Sequence, residues 1–194
     1  MTAQICDDFF YNNENYILID HESMIAELAV FTMDFPKTVF DIILNTACTK
    51  GYQANYTVEE GKLFARVGKE TSSSPNFIFS NKEPIPYTGG CIIARFMRSP
   101  VAIYSRDSWS GYIDFEEAYE LHFTNGQLDE ERSLIEGILE AKKTENEPWY
   151  KSESTTPSMR WDLRHDIARK YLIYNYEHQA PLYEKEIEII YSEV

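Results

Sequence analysis

Arg95, Arg98 and Arg106, followed by Asp107, Ser108 and Trp109, make the least acidic stretch of this chain. Guanidinium groups beside an aromatic ring can grip a phosphate or carboxylate through paired N–H donors, so Arg95, Arg98, Arg106 and Trp109 are the ligand-binding candidates. The competing reading is that the arginines answer the chain's own acids in salt bridges. The four histidines, His21, His122, His165 and His178, lie far apart and none has another three or four residues away, which argues against a histidine metal site. His122 shares one face of a predicted strand with Glu120 and Thr124. That trio is either a general base with an orienting carboxylate or the solvent side of a sheet, and the solvent side is the expected one.

Thr88-Gly89-Gly90 can turn backbone N–H groups toward a phosphate, but a phosphate loop needs a following helix and usually a lysine, and here a strand-like run follows. A tight turn or bulge is the expected role. Cys6, Cys48 and Cys91 stand more than forty residues apart with no CxxC pair. They read as small buried hydrophobes rather than disulfide partners, nucleophiles or zinc ligands. No loop of calcium-binding spacing appears, and adjacent acids such as Glu116-Glu117 and Glu130-Glu131 point in different directions. Neither a metal nor a cofactor is expected.

The strongest compositional signal is charge. Thirty-two acidic residues against eighteen basic ones leave a formal charge of −14 over 194 residues. By segment the balance is −6 for 1–58, +2 for 59–111, −8 for 112–147 and −2 for 148–194. Such a surface repels nucleic-acid backbones and anionic membranes and attracts cationic partners. Asp114, Glu116, Glu117, Glu120, Asp129, Glu130 and Glu131 dominate the acidic block and are the partner-binding candidates. The plain alternative is a solvated face. Hydrophobic content of 43% and aromatic content of 14% are too rich for a disordered chain. No uninterrupted apolar run reaches the length of a membrane span, and Asp7-Asp8 stand where a secretory signal would be positive, so a cytoplasmic protein is expected.

The elements that must position these residues are mostly strands. Asp8–Tyr11 and Tyr16–Ile19, split by Asn12-Asn13-Glu14-Asn15, predict a first hairpin. Gln53–Val58 and Leu63–Val67 about Gly61 predict a second, and the alternating Tyr119, Leu121 and Phe123 before Asn125-Gly126 predict a third. Phe77–Phe79 and Cys91–Phe96 read as strands, and 70–75 and 82–90 as loops. A short helix is expected at 23–31, a further strand at Ile42–Leu44 and a closing strand at Glu186–Tyr191. Asp129-Glu130-Glu131 reads as the first turn of a helix to about 143 that presents Leu134, Ile135, Ile138 and Leu139 on one face. A mobile loop is expected at 144–157, then a helix over 158–175 capped by Ser158. The expected architecture is one α+β domain over 1–194: a mainly antiparallel sheet of hairpins, in its alternative form a partly closed barrel, with two C-terminal helices.

Ile85-Pro86-Tyr87-Thr88-Gly89-Gly90 together with the stretch from Tyr119 to Leu128 resembles a pattern in an uncharacterised family of small bacterial proteins. There a Pro-aromatic-Thr-Gly-Gly turn precedes an acidic-Leu strand that closes in a Gly-Lys/Gln-Leu turn. The resemblance covers about a quarter of the chain. It implies a shared fold, carries no known activity and transfers no catalytic residue. The first functional reading is therefore a non-enzymatic acidic protein of bacterial or phage origin that binds and blocks a basic protein partner, as immunity and inhibitor proteins do, with Trp109, Tyr112 or Trp149 as interface anchors. The second is a small anionic-ligand binder or hydrolase built on the arginines, with His122 as base. Homo-oligomeric roles form a third class.

Overall fold

The structure, a computed structural model, describes residues 7–21, 53–71, 74–79, 81–98 and 111–173. The expected elements at 23–31, 42–44 and 186–191, together with Arg106 and Trp109, lie outside the described residues.

All three predicted hairpins form. β1 (Asp8–Tyr11) and β2 (Glu14–His21) turn through Asn12-Asn13, β3 (Gln53–Glu59) and β4 (Lys62–Thr71) through Glu60-Gly61, and β8 (Phe115–Thr124) and β9 (Gln127–Ser133) through Asn125-Gly126. Both central residues of each turn have positive φ: 48° and 62°, 51° and 75°, 49° and 78°. That is the type I′ geometry that matches strand twist and favours Asn and Gly. Between the hairpins lie β5 (Ser74–Phe79), the two-residue β6 (Glu83–Pro84) and β7 (Gly89–Met97). β4 and β5 reach into the polar 70–75 stretch, leaving only residues 72–73 between them.

The strands close into a ring in the order β3-β1-β2-β7-β8-β9-β4 and back to β3, a seven-stranded barrel. Neighbours in the ring are antiparallel except β1 and β3, which run parallel with Phe9 opposite Tyr56. The architecture is α+β, as expected, and the barrel form of it is the one adopted. Closure between β4 and β9 rests on a single register pair, Lys62 with Gln127, supported by Leu63 N–H to the Gly126 carbonyl and Leu128 N–H to the Gly61 carbonyl, each 2.7 Å. Beyond that point the two strands run past one another. β4 continues beside β6 and β5, whereas β9 continues with β8 on one side alone among the described residues.

Alternation along each strand fills the interior, as small barrels require. Phe9, Tyr11, Tyr16, Leu18, Tyr56, Leu63, Ile93, Leu121 and Phe123 pack inside, with Cys91 as a small buried hydrophobe among them. The segment after β6 plugs the barrel beside the β8–β9 turn: Gly126 N–H donates to the Tyr87 carbonyl at 2.7 Å and Asn125 N–H to Thr88 Oγ1 at 2.8 Å. A Cβ on Gly126 would lie 2.2 Å from the Ile85 carbonyl oxygen, so this position needs glycine for space as well as for φ. The Pro-Tyr-Thr-Gly-Gly and Asn-Gly-Gln-Leu motifs are thus two sides of one hydrogen-bonded plug. Gly89 and Gly90 lead straight into β7, which fits the turn reading and leaves no helix to receive a phosphate.

A second core lies on the outer face of β7 and β8. Ile92, Ala94 and Ala118 there meet Tyr112 and Ile113 of a short 3-10 turn, Leu134, Ile138 and Ala141 of α1 (Ile135–Asn146), and Ile167 of α2 (Pro157–Lys170). β7 is therefore buried on both faces, which explains its unbroken apolar run. At Gly137 a Cβ would stand 2.2 Å from the Tyr112 hydroxyl, so α1 can approach the turn only there.

Four local expectations are corrected. Asp129-Glu130-Glu131 belong to β9, not to a helix: they continue the strand paired to β8, and α1 starts only at Ile135. Starting there rotates Ile135 and Leu139 into solvent, 42% and 55% exposed, while Ile138 and Ala141 face the core. The α2 cap is Thr156, whose hydroxyl accepts from Met159 N–H, with Pro157 at the first helical position where a missing N–H costs nothing. Finally, α1 ends at Asn146 rather than near 143; turn hydrogen bonds follow it, including Thr155 Oγ1 to the Trp149 carbonyl at 2.6 Å.

Candidate functional site

The two described arginines of the anion-binding set lie on opposite faces of the sheet. Arg95 reaches the end of the barrel interior, where it pairs with Glu14 at 2.7 Å and Glu117 at 2.8 Å and lies over the rings of Tyr16 and Phe96, 5.0 and 4.7 Å from their centroids. Arg98 lies on the helix side, donating to the Ile113 carbonyl at 2.9 Å and to Glu145 of α1 at 2.8 Å, with Glu116 at 4.0 Å. Each answers the protein's own carboxylates, and the two do not converge on a common ligand position.

Glu120 and His122 are not on a solvent side. They are 0% and 6% exposed, because the residues following α2 cross the outer face of β8: Ile173 N–H donates to both Glu120 oxygens at 2.9 and 3.2 Å. His122 Nε2 stands 3.4 Å from Glu120 Oε1 in this packed setting. Tyr112, an expected interface anchor, is 1% exposed with its hydroxyl on the Ala168 carbonyl at 2.9 Å, so it is a core residue; Trp149 is 50% exposed.

The acids of the block divide by strand. Asp114, just before β8, and Glu145 both take Arg164 of α2. Burial alone would lower the Arg164 pKa, but these two carboxylates raise it above the ordinary arginine value. Glu116 accepts from Lys142 of α1. Glu117 accepts from Tyr16 at 2.7 Å and from Arg95 at 2.8 Å. Desolvation works against its charge, yet these hydrogen bonds hold its carboxyl below the usual range. Burial, and the hydrogen bond each gives to Glu131 or Glu117, push the hydroxyls of Tyr11 and Tyr16 well above the ordinary tyrosine value. Tyr11, Tyr16 and Tyr119 stack edge to face or tilted around them at 5.9 to 6.5 Å. This knot converges from β1, β2, β7, β8 and β9, and no short motif announces it.

On β9 the situation reverses. Asp129, Glu130 and Glu131 are exposed, and of the three only Glu131 has a described partner, the Tyr11 hydroxyl. A register shift between His122 and Phe123 of β8 sets an extra residue, Asp129, into β9, after which Glu130 lies opposite His122, Glu131 opposite Leu121 and Arg132 opposite Glu120. The far edge of β9 beyond the Lys62 pair carries no strand among the described residues. The result, among the described residues, is an open strand edge lined by carboxylates. No group of three or more His, Cys, Asp or Glu suited to a metal ion gathers among the described residues, and no helix there is long and apolar enough to cross a membrane. No protein-family model, curated protein or solved structure matches the chain.

Proposed function

We propose that this protein is a non-enzymatic acidic interaction protein that binds and blocks a basic partner, of the immunity or inhibitor type known in bacteria and phage. The observation that supports this reading is the division of the carboxylates. Those before and on β8 are held by arginine, lysine, tyrosine or backbone donors of the same molecule, while Asp129 and Glu130 have no such partner among the described residues and Glu131 has only a hydroxyl. Charges without an internal counterion set the long-range field that steers a cationic protein into contact. A stable complex would cover roughly 800 Å² on each side. Trp149, half exposed, is an available aromatic anchor.

The test is retention from the native host's lysate on immobilised protein at low and at high salt, comparing wild type with the variant D129N/E130Q/E131Q. A basic protein held at low salt, released at high salt and not held by the variant is the expected result. Equal retention by the variant, or an anionic small molecule as the only captured species, would refute the acidic-face reading.

A further inference from the structure

The acidic face lies on a strand whose hydrogen-bonding edge is open among the described residues, and this specifies how a partner would be held. We infer that the partner contributes an extended basic segment that adds to β9 as a new strand, in the gap left where β4 and β9 overlap by one pair. The inference rests on the acidic-interface reading and adds to it a mode of recognition.

Three observations carry it. From Asp129 to Ser133, past the Leu128 N–H bond to the Gly61 carbonyl, the far edge of β9 has no strand partner among the described residues, whereas the corresponding edge of β4 is taken by β6 and β5. Unpaired backbone N–H and C=O groups in a row are a template for strand addition. β9 is also held in extended form by β8 on its other side, so the template is organised before a partner arrives. Its side chains then select the occupant. Glu130 and Arg132 pair with outward-facing β8 positions and Glu131 with an inward-facing one, so carboxylates flank the edge on both sides. An added strand with lysine or arginine at alternate positions meets opposite charge on one face, since strand side chains alternate. A second copy of this chain would bring the same acids to the same edge, where like charges directly opposite are destabilising, so the edge admits basic strands and rejects its own.

The probe is a synthetic peptide alternating lysine and valine over about ten residues, beside the same peptide N-methylated at alternate backbone nitrogens, which keeps the charge but cannot form a ladder on that side. Amide exchange of residues 129–133 is followed in the full-length protein alone and with each peptide. The expected result is fast exchange at the outward amides of the free protein, protection by the unmodified peptide, and binding at least about tenfold weaker for the methylated one. Equal binding of both peptides would leave the acidic-face reading in place and overturn strand addition. Failure of both to bind at low salt would overturn both readings. Outward amides already protected in the free protein would show the edge occupied by this chain or a second copy, and would overturn the inference.

Discussion

β8 and β9 are neighbours in one hairpin and both are acidic, yet their carboxylates have opposite fates. Glu116, Glu117 and Glu120 on β8 meet Lys142, Arg95 with Tyr16, and the Ile173 amide, so that strand's charge is spent inside the molecule. Asp129 and Glu130 on β9 meet solvent. The difference is not in composition but in position: β8 sits between β7 and β9 with the helices packed on the outer face, and β9 sits at the seam where the ring is barely joined. A net charge of −14 therefore overstates what a partner encounters, and the location of the unanswered part matters more than the total.

The comparison breaks most severely at Glu120. Glu120→Ala would leave the Ile173 amide and His122 facing a void and should lower unfolding stability by about 2–4 kcal/mol, read by urea denaturation, while Glu120→Gln, which keeps an acceptor, should lose less. A loss under about 1 kcal/mol would mean that β8's buried acid is not integral to the packing. Next comes Arg164→Ala, which strips the counterion from Asp114 and Glu145 together; a loss of about 2 kcal/mol is expected in the same assay.

Glu117→Gln should cost about 1 kcal/mol at neutral pH through its weakened bonds to Tyr16 and Arg95. Because the folded carboxyl lies below the ordinary range, its contribution is present above the unfolded pKa and disappears as pH falls through the folded one. The wild type and this variant should therefore converge in thermal stability in acid, and a gap that persists there would contradict the assignment. The smallest effect on stability belongs to D129N/E130Q/E131Q, within about 0.5 kcal/mol, in the variant expected to lose the most salt-sensitive partner retention.

Much of the barrel was legible because its turns carry their own chemistry. Asn12-Asn13, Glu60-Gly61 and Asn125-Gly126 declare type I′ hairpins locally, and the alternation of Tyr119, Leu121 and Phe123 marks the inward face of β8. The identity of β9 was harder to read, since an acidic run before an apolar stretch is also how a helix begins, and only the register with β8 decides the matter. The burial of Glu120 and His122 was hidden for a related reason: polar residues alternating with apolar ones look solvated until something from elsewhere, here the chain after α2, crosses them. Of the site residues, the carboxylates were visible as a charge block. Which of them keep an unanswered charge depends on Arg164, Lys142 and Tyr16, whose partners lie 50, 26 and 101 residues away.

The seam has a kinetic consequence. Each hairpin joins strands adjacent in sequence and can form within about 1–10 μs, but closing the ring requires Gln127 to find Gly61 across 66 residues and β3 to lie parallel against β1 across a long excursion of chain. Those contacts bear the loop-closure entropy and return only one ladder pair at the β4–β9 join. The barrel should accordingly fold as an open sheet that latches last, and the first cooperative unit to let go under mild denaturant should be the latch itself.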